Sequence, residues 1–140
     1  MIETLPHSVI NLHIGYLPYN RGASPNIWSF IENTPCGVTI HEIDQGIDTG
    51  DILLQEKIVF DKKLETLASA YKKSSDLIQE LFRKNWQALK NQTISPIKQP
   101  NGGSYHNSKA LEAFKEAIDY NDTIETFLLK VSAVNKLARL

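Results

Sequence analysis

The apolar residues of this chain change their period part-way along, and that change limits the fold more than any other feature. Over residues 9–12, 37–43 and 51–60 they recur at every second position, as in strands with one covered face. Over residues 64–89 the spacing becomes three and four: Leu64, Leu67, Tyr71, Ile78, Leu81, Phe82, Trp86 and Leu89. Short strands leading into one long amphipathic helix predict an α/β domain. A chain of 140 residues is long enough to bury a single core of this kind.

The first strand is expected over residues 9–13, introduced by Pro6. Strand alternation puts Asn11 and His13 on one face, roughly 6 to 7 Å apart, and Ile10 and Leu12 on the other. Residues 15–23, with Pro18, Asn20, Arg21 and Gly22, read as a loop. Ser24 followed by Pro25 predicts a helix start with a capping hydroxyl, and Ile27, Trp28 and Ile31 form its apolar stripe until Thr34 and Pro35 end it. Residues 37–43 form the next strand, Val38 and Ile40 on one face and Thr39, His41 and Ile43 on the other. The loop 44–50 carries Gly46 and Gly50 for tight turns and leads into a strand over 51–60, with Ile52, Leu54, Ile58 and Phe60 in phase. These two strands are expected to pair antiparallel around the loop. After the long helix, 91–99 reads as extended and Asn101, Gly102 and Gly103 as a turn. A short helix follows over 108–118, with Leu111, Phe114 and Ile118 inward. Asp122 and Glu125 predict a capping box for a last helix bearing Phe127, Leu128, Val131, Val134 and Leu137. Trp28, Trp86 and the helical tyrosines are assigned to the core.

Composition removes several functions. The formal net charge is −1 with both signs mixed along the chain, which is not the footprint of a nucleic-acid binder. No apolar run is long enough to span a bilayer and the first residues do not read as a secretion signal, so no membrane partner and a cytoplasmic location are expected. Cys36 is the single cysteine, which leaves no internal disulfide and no thiolate cluster. It reads as a packing residue rather than a nucleophile.

Three polar residues stand where strands give way to loops: the amide of Asn11, the imidazole of His13 and the carboxylate of Asp48. Acyl transfer to an amine uses such a set. The amine attacks directly, so no enzyme nucleophile is required, but the tetrahedral intermediate carries an oxyanion and an excess proton. An amide or a protonated imidazole steadies the oxyanion. A nearby carboxylate raises the imidazole pKa and can receive the amine proton, directly or through water. Each residue also has an ordinary structural reading, as a satisfied polar group at a strand end. His41 reads as a buried hydrogen-bonded histidine with a supporting role beside the site as its alternative, and Arg21 as either a surface arginine or a bidentate grip on phosphate or carboxylate. Neither a calcium loop at Asp44, Asp48 and Asp51 nor a zinc site at His13, His41 and Asp48 has the required spacing, so no metal is expected.

Taken together, Asn11-Leu12-His13, Leu17-Pro18, Arg21-Gly22-Ala23, Pro25, Gly37-Val38-Thr39-Ile40-His41 and the run from Asp44 through Gly50-Asp51-Ile52-Leu53 resemble the formyltransferases that use 10-formyltetrahydrofolate. The stretch Ile14-Gly15-Tyr16-Leu17-Pro18-Tyr19-Asn20-Arg21-Gly22-Ala23, with Pro25 to Phe30 and Gly103-Ser104-Tyr105-His106, is most similar to the sugar N-formyltransferases of that family. The resemblance implies a transferase that moves a formyl group from 10-formyltetrahydrofolate, its co-substrate, to the amine of a nucleotide-linked deoxyamino sugar. The alternatives are a methionyl-tRNA formyltransferase, or an inactive truncated remnant that acts only by association.

By the same resemblance Asn11 holds the formyl oxygen and His13 stabilises the oxyanion or acts as acid. Asp48 orients the histidine and helps remove the amine proton. Asp44, Gln45, Gly46 and Ile47 border the pterin ring of the donor through their main chain, and Arg21 and His41 are assigned to the substrate side. Members of the family carry alternating strands and helices ahead of the Asn-x-His strand. The chain is therefore expected to be the C-terminal part of a Rossmann-like formyltransferase domain over residues 1–100, followed by a helical segment over 101–140. A sheet edge and an apolar face would then be exposed, for the missing N-terminal half or for a second copy in a homodimer.

Overall fold

The computed structural model describes residues 8–140, and Pro6 lies outside them. Its elements are β1 (Ile10–His13), β2 (Arg21–Gly22), α1 (Pro25–Ile31), β3 (Gly37–Glu42), β4 (Ile52–Lys57), α2 (Leu67–Lys84), α3 (Trp86–Lys90), β5 (Tyr105–His106), a 3-10 helix (Ala110–Ala117) and α4 (Ile124–Ala138). The alternating segments became strands and the sheet has the order β1-β3-β4, antiparallel throughout. This is the α/β architecture expected from the change of period.

Register explains how the sheet sorts its residues. Asn11 lies opposite His41 and His13 opposite Thr39, so these four polar side chains share one face. Leu12 lies opposite Ile40 on the other face, where Val38 and Ile40 pack under Ile78 of α2. Between β3 and β4 the register slips: Ile40 faces Leu54, but His41 faces Ile52. Leu53 is the extra residue of a bulge, and both Leu53 and Leu54 pack on the Val38 and Ile40 cluster. Ile52 and Leu54, expected in phase, therefore lie on different faces. The strand also ends at Lys57 rather than at Phe60, and Val59 is exposed. Among the described residues β1 has β3 as its strand partner and Leu12 is exposed.

The long helix is shorter than its apolar spacing predicted. It starts after a capping box in which Thr66 accepts from the Ser69 amide and Ser69 accepts from the Thr66 amide, and it buries Leu67, Ala70, Ser74 and Ile78. Leu64 belongs to a turn built on Asp61, whose carboxylate takes the Lys63 amide, and its side chain is exposed. At Asn85 the helix breaks and restarts as α3, with the Asn85 side-chain amide donating to the Leu81 carbonyl at 2.8 Å. Tyr71 and Trp86 are about half exposed and do not belong to the core, whereas Trp28 is buried.

Two caps differ from expectation. Ser24 adopts a left-handed backbone with φ 52 and makes no side-chain cap, so α1 begins on Pro25 alone. Thr123, not Asp122, caps α4 by accepting from the Thr126 amide, while the Asp122 carboxylate takes Lys130 Nζ at 2.5 Å. The helix over 108–118 is a 3-10 segment, Ala110–Ala117. Ile27 and Phe30 of α1, Leu67 and Ala70 of α2 and Ile124, Phe127 and Val131 of α4 share one buried cluster. The last helix thus packs with α1 and α2. β5 pairs in parallel with β2, which ties the segment at Tyr105 to the Arg21 loop.

Candidate active site

Strand alternation and register carry Asn11, His13 and His41 to one face, and the loop between β3 and β4 folds Asp48 onto it. Asp48 is the hub. Its Oδ1 lies 3.2 Å from Asn11 Nδ2 and 3.2 Å from His41 Nε2, and its Oδ2 accepts the Gly22 amide at 2.9 Å and lies 3.6 Å from His13 Nδ1. Its backbone is left-handed at φ 55, a costly conformation for an aspartate that these contacts hold in place. Gly50 is required two residues on, because a Cβ there would stand 1.7 Å from the Glu42 carbonyl oxygen.

Burial opposes the charge on Asp48, but the His41 hydrogen bond, the field of His13 and the Gly22 amide outweigh it, and the carboxyl is held at about 2. The two histidines diverge. For His41, burial lowers the pKa, but the Asp48 carboxylate and the Glu42 carbonyl, 2.8 Å from Nδ1, outweigh it and the net shift is upward. For His13 burial wins over Asp48 and the Asn20 carbonyl, and the shift is downward. The sequence predicted that the carboxylate would raise His13. Asp48 favours the charge on both rings, but at 3.6 Å it does not offset the cost of burying His13, whereas at 3.2 Å from His41, together with the Glu42 carbonyl, it does.

Hydrogen-bond directions follow from these states. A carboxylate accepts only, so the Asn11 side chain must present its amide nitrogen to Asp48. His41 donates Nδ1–H to the Glu42 carbonyl and, when protonated, Nε2–H to Asp48. Neutral His13 donates Nε2–H to the Asn20 carbonyl at 3.2 Å, which leaves Nδ1 as a bare base beside Asp48. Asn20 is itself fixed: fully buried at φ 58, it donates its amide to Ser104 Oγ and its side chain to Thr34 Oγ1, each at 2.8 Å. No local pattern marks Asn20 for this role, because both partners come from other segments.

Asp44 Oδ1 accepts from the Gly46 amide at 2.9 Å and the Thr49 hydroxyl at 2.6 Å, closing a turn that leaves Asp44, Gln45, Gly46 and Ile47 exposed. Arg21 sits on the neighbouring loop with Nε and Nη2 on Gln99 Oε1, at 3.0 and 2.7 Å. A hollow of about 310 Å³ opens beside His13, lined by Leu12, Ile14, Pro25, Ile27, Tyr71 and Tyr120. A larger one of about 430 Å³, near Trp86 and Leu89, reaches none of Asn11, His13, His41 or Asp48. Room and chemistry coincide at His13. Cys36 is removed from this constellation, and burial pushes its thiol pKa up while the Sγ–H donates to Ser29 Oγ at 3.2 Å.

The Asn11 amide, a bare His13 nitrogen and the low-pKa Asp48 carboxylate thus stand together, with the hollow reaching His13 among them, and groups of these types can serve transfer at a carbonyl. The comparisons place it in a family. The formyl transferase family model matches residues 1–85, and the chain belongs to that family. A methionyl-tRNA formyltransferase of Lachnospira eligens is 38% identical over 116 residues, 82% of this chain and 36% of that protein. A dTDP-4-amino-4,6-dideoxyglucose formyltransferase of Mycobacterium bovis is 30% identical over 127 residues, 89% of this chain and 53% of that protein. Among solved structures, the formyltransferase PseJ from Anoxybacillus kamchatkensis, in complex with UDP-4,6-dideoxy-4-formamido-L-AltNAc and tetrahydrofolate, superposes with a TM-score of 0.82 at 41% identity, over 86% of this chain and 65% of that one. An N-formyltransferase from Helicobacter canadensis, with folinic acid and dTDP-3-aminofucose, gives 0.73 at 30% identity over 86% and 45%. The chain thus spans between about a third and two thirds of the length of these relatives. Among the described residues no helix is long and apolar enough to cross a membrane.

Proposed function

We propose that this chain takes part in moving a formyl group from 10-formyltetrahydrofolate to the amine of a nucleotide-linked deoxyamino sugar, in the cytoplasm. The observation that carries the reading is the convergence of Asn11, His13 and His41 on the Asp48 carboxylate, with an open hollow reaching His13. The sugar rather than the tRNA substrate is favoured by the overlap with PseJ, whose structure holds a formamido sugar nucleotide and tetrahydrofolate. The similarity to a methionyl-tRNA formyltransferase supports the second reading, transfer to methionyl-tRNA.

In this reading the amine nitrogen attacks the formyl carbon, and the carbonyl π electrons move to oxygen. The Asn11 amide supplies hydrogen to that oxyanion, an electrostatic contribution that single donors in other enzymes make at about 10²-fold or more in rate. The new C–N bond leaves a proton on nitrogen. His13 Nδ1 accepts it, and Asp48 pairs with the imidazolium that forms. The proton then goes to the departing folate nitrogen as the old C–N bond breaks. His41 Nε2 stands against the Asp48 carboxylate and favours its charge, and the main chain of 44–47 and the Arg21 loop border donor and acceptor. The test is an assay of purified protein with the folate donor and, in parallel, a panel of nucleotide-linked amino sugars and methionyl-tRNA. Formylation of a sugar amine supports the reading; formylation of methionyl-tRNA alone replaces it with the second.

A further inference from the structure

Asp48 holds a disfavoured backbone conformation, and its carboxylate takes a hydrogen bond from the backbone of a different loop, so something must fix the two loops to each other. Gln99 does this. Its Nε2 donates to the carbonyl of Asp48 at 2.7 Å and to that of Gly50 at 2.8 Å, while its Oε1 accepts from Arg21 Nε and Nη2. Two donors and two acceptor contacts use the whole capacity of a carboxamide. The surrounding segment does not share this burial. Ile97, Lys98, Pro100 and Asn101 are exposed, and Gln99 alone among them turns inward. Its approach is set by Ile97, whose backbone exchanges two hydrogen bonds with Ile52 at 2.7 and 2.8 Å.

We propose that Gln99 is a positioning residue for the transfer site, holding the loop that carries the Asp48 carboxylate against the loop that carries the Gly22 amide. Its four contacts go to the Asp48 and Gly50 carbonyls and the Arg21 guanidinium, not to the Asn11 amide, the His13 ring or the Asp48 carboxylate. One end of the carboxamide grips the Asp48 turn on both sides of Thr49. The other grips Arg21, the residue before Gly22, whose own amide is fixed on the Ser104 carbonyl at 2.9 Å. The groups facing Asp48 are Asn11, His13, His41 and the Gly22 amide, with Asp44 acting on His41 from the same loop. Releasing the clamp lets the carboxylate move away from both histidines. A carboxamide is needed for chemical reasons: a carboxylate would keep Arg21 but set negative charge against two carbonyl oxygens, and an apolar side chain would hold neither loop.

The catalytic consequence rests on the formyl-transfer reading, whereas the positioning itself does not, and the experiment separates them. The full chain is prepared with Gln99→Met, which keeps the volume, with Gln99→Glu and with Gln99→Ala, and the imidazole resonances of His41 and His13 are titrated by NMR. The expected result is a fall in the His41 midpoint by about half a pH unit or more in the Met and Ala variants, as the carboxylate withdraws. The Gly22 amide proton should move upfield in the same variants. In the turnover assay kcat should fall about tenfold with KM for the amine within about twofold. If the wild-type protein transfers no formyl group, the formyl-transfer reading fails and the His41 midpoint still decides the clamp. His41 and Gly22 signals in Gln99→Met that match the wild type would overturn the proposal.

Discussion

Replacing Asp48 by asparagine changes the charge of the site while keeping its shape, and the consequence for stability can be worked out from the structure. The carboxyl is held at about 2 in place of the ordinary 3.8, and the side chain is 12% exposed, so water screens its contacts little. At about 1.36 kcal/mol per pH unit the lowered pKa corresponds to about 2 kcal/mol of stability. The sign follows from the direction. A depressed carboxyl contributes fully above its unfolded value, near 3.8, and the contribution is lost as the pH falls through 2. His41 works the other way: its pKa is raised above 6.5, so its contribution is complete below 6.5 and is lost as the pH rises through the folded value. The excess stability of the wild type over Asp48→Asn should therefore be greatest between about pH 4 and 6.5 and shrink on both sides, by about 2 kcal/mol on the acid side. Urea unfolding followed by the fluorescence of Trp28 and Trp86 at a series of pH values measures this difference. Asp44 and Glu65 also have lowered pKa values, but both are present in each protein and cancel. A wild-type excess that stays constant from pH 6 to pH 2.5 would refute the reasoning.

NMR titration of the two site histidines should find His41 above the ordinary 6.5 and His13 below it, and the reverse order would contradict the hydrogen-bond assignment around Asp48. Phe127→Ala removes a fully buried ring from the cluster that joins α1, α2 and α4 and should cost about 3 to 5 kcal/mol in urea unfolding, a loss under about 1 kcal/mol showing that α4 does not belong to that core. Gly50→Ala sets a methyl group against the Glu42 carbonyl, so the loop must shift; circular dichroism should show a folded chain, with the raised His41 midpoint lost. An unchanged midpoint would mean that the loop absorbs the Cβ without moving Asp48.

Some of this site was legible because alternation is a local property. The side chains of Asn11 and His13 share a face by strand geometry. The antiparallel pairing expected from the sequence was that of β3 with β4, whereas His41 joins the face through the pairing of β3 with β1, which alternation alone does not specify. Asp48 was visible as a carboxylate in a glycine-bounded loop. Its partners were not, since Gly22 contributes only a backbone amide and Gln99 comes from a segment with no periodic signal. The pKa exchange between the histidines depends on burial and on a few tenths of an ångström, neither of which spacing encodes. In the fold, the bulge at Leu53 reverses the phase of β4, and the break at Asn85 ends a stripe whose spacing continues through it. Leu64, Tyr71 and Trp86 matched the helical spacing while remaining exposed. Periodicity identifies a helix face, but what covers that face is decided by distant chain.

The central claim is that Asn11, His13 and Asp48 act together on a formyl group and an amine. Its most direct test is single-turnover transfer from 10-formyltetrahydrofolate to a nucleotide-linked amino sugar by the wild type and by Asn11→Ala, His13→Ala and Asp48→Asn, each confirmed folded. A loss of about 10²-fold or more in the transfer step for each variant, with the donor still bound, is predicted. Transfer at the wild-type rate by His13→Ala and Asp48→Asn would contradict the account.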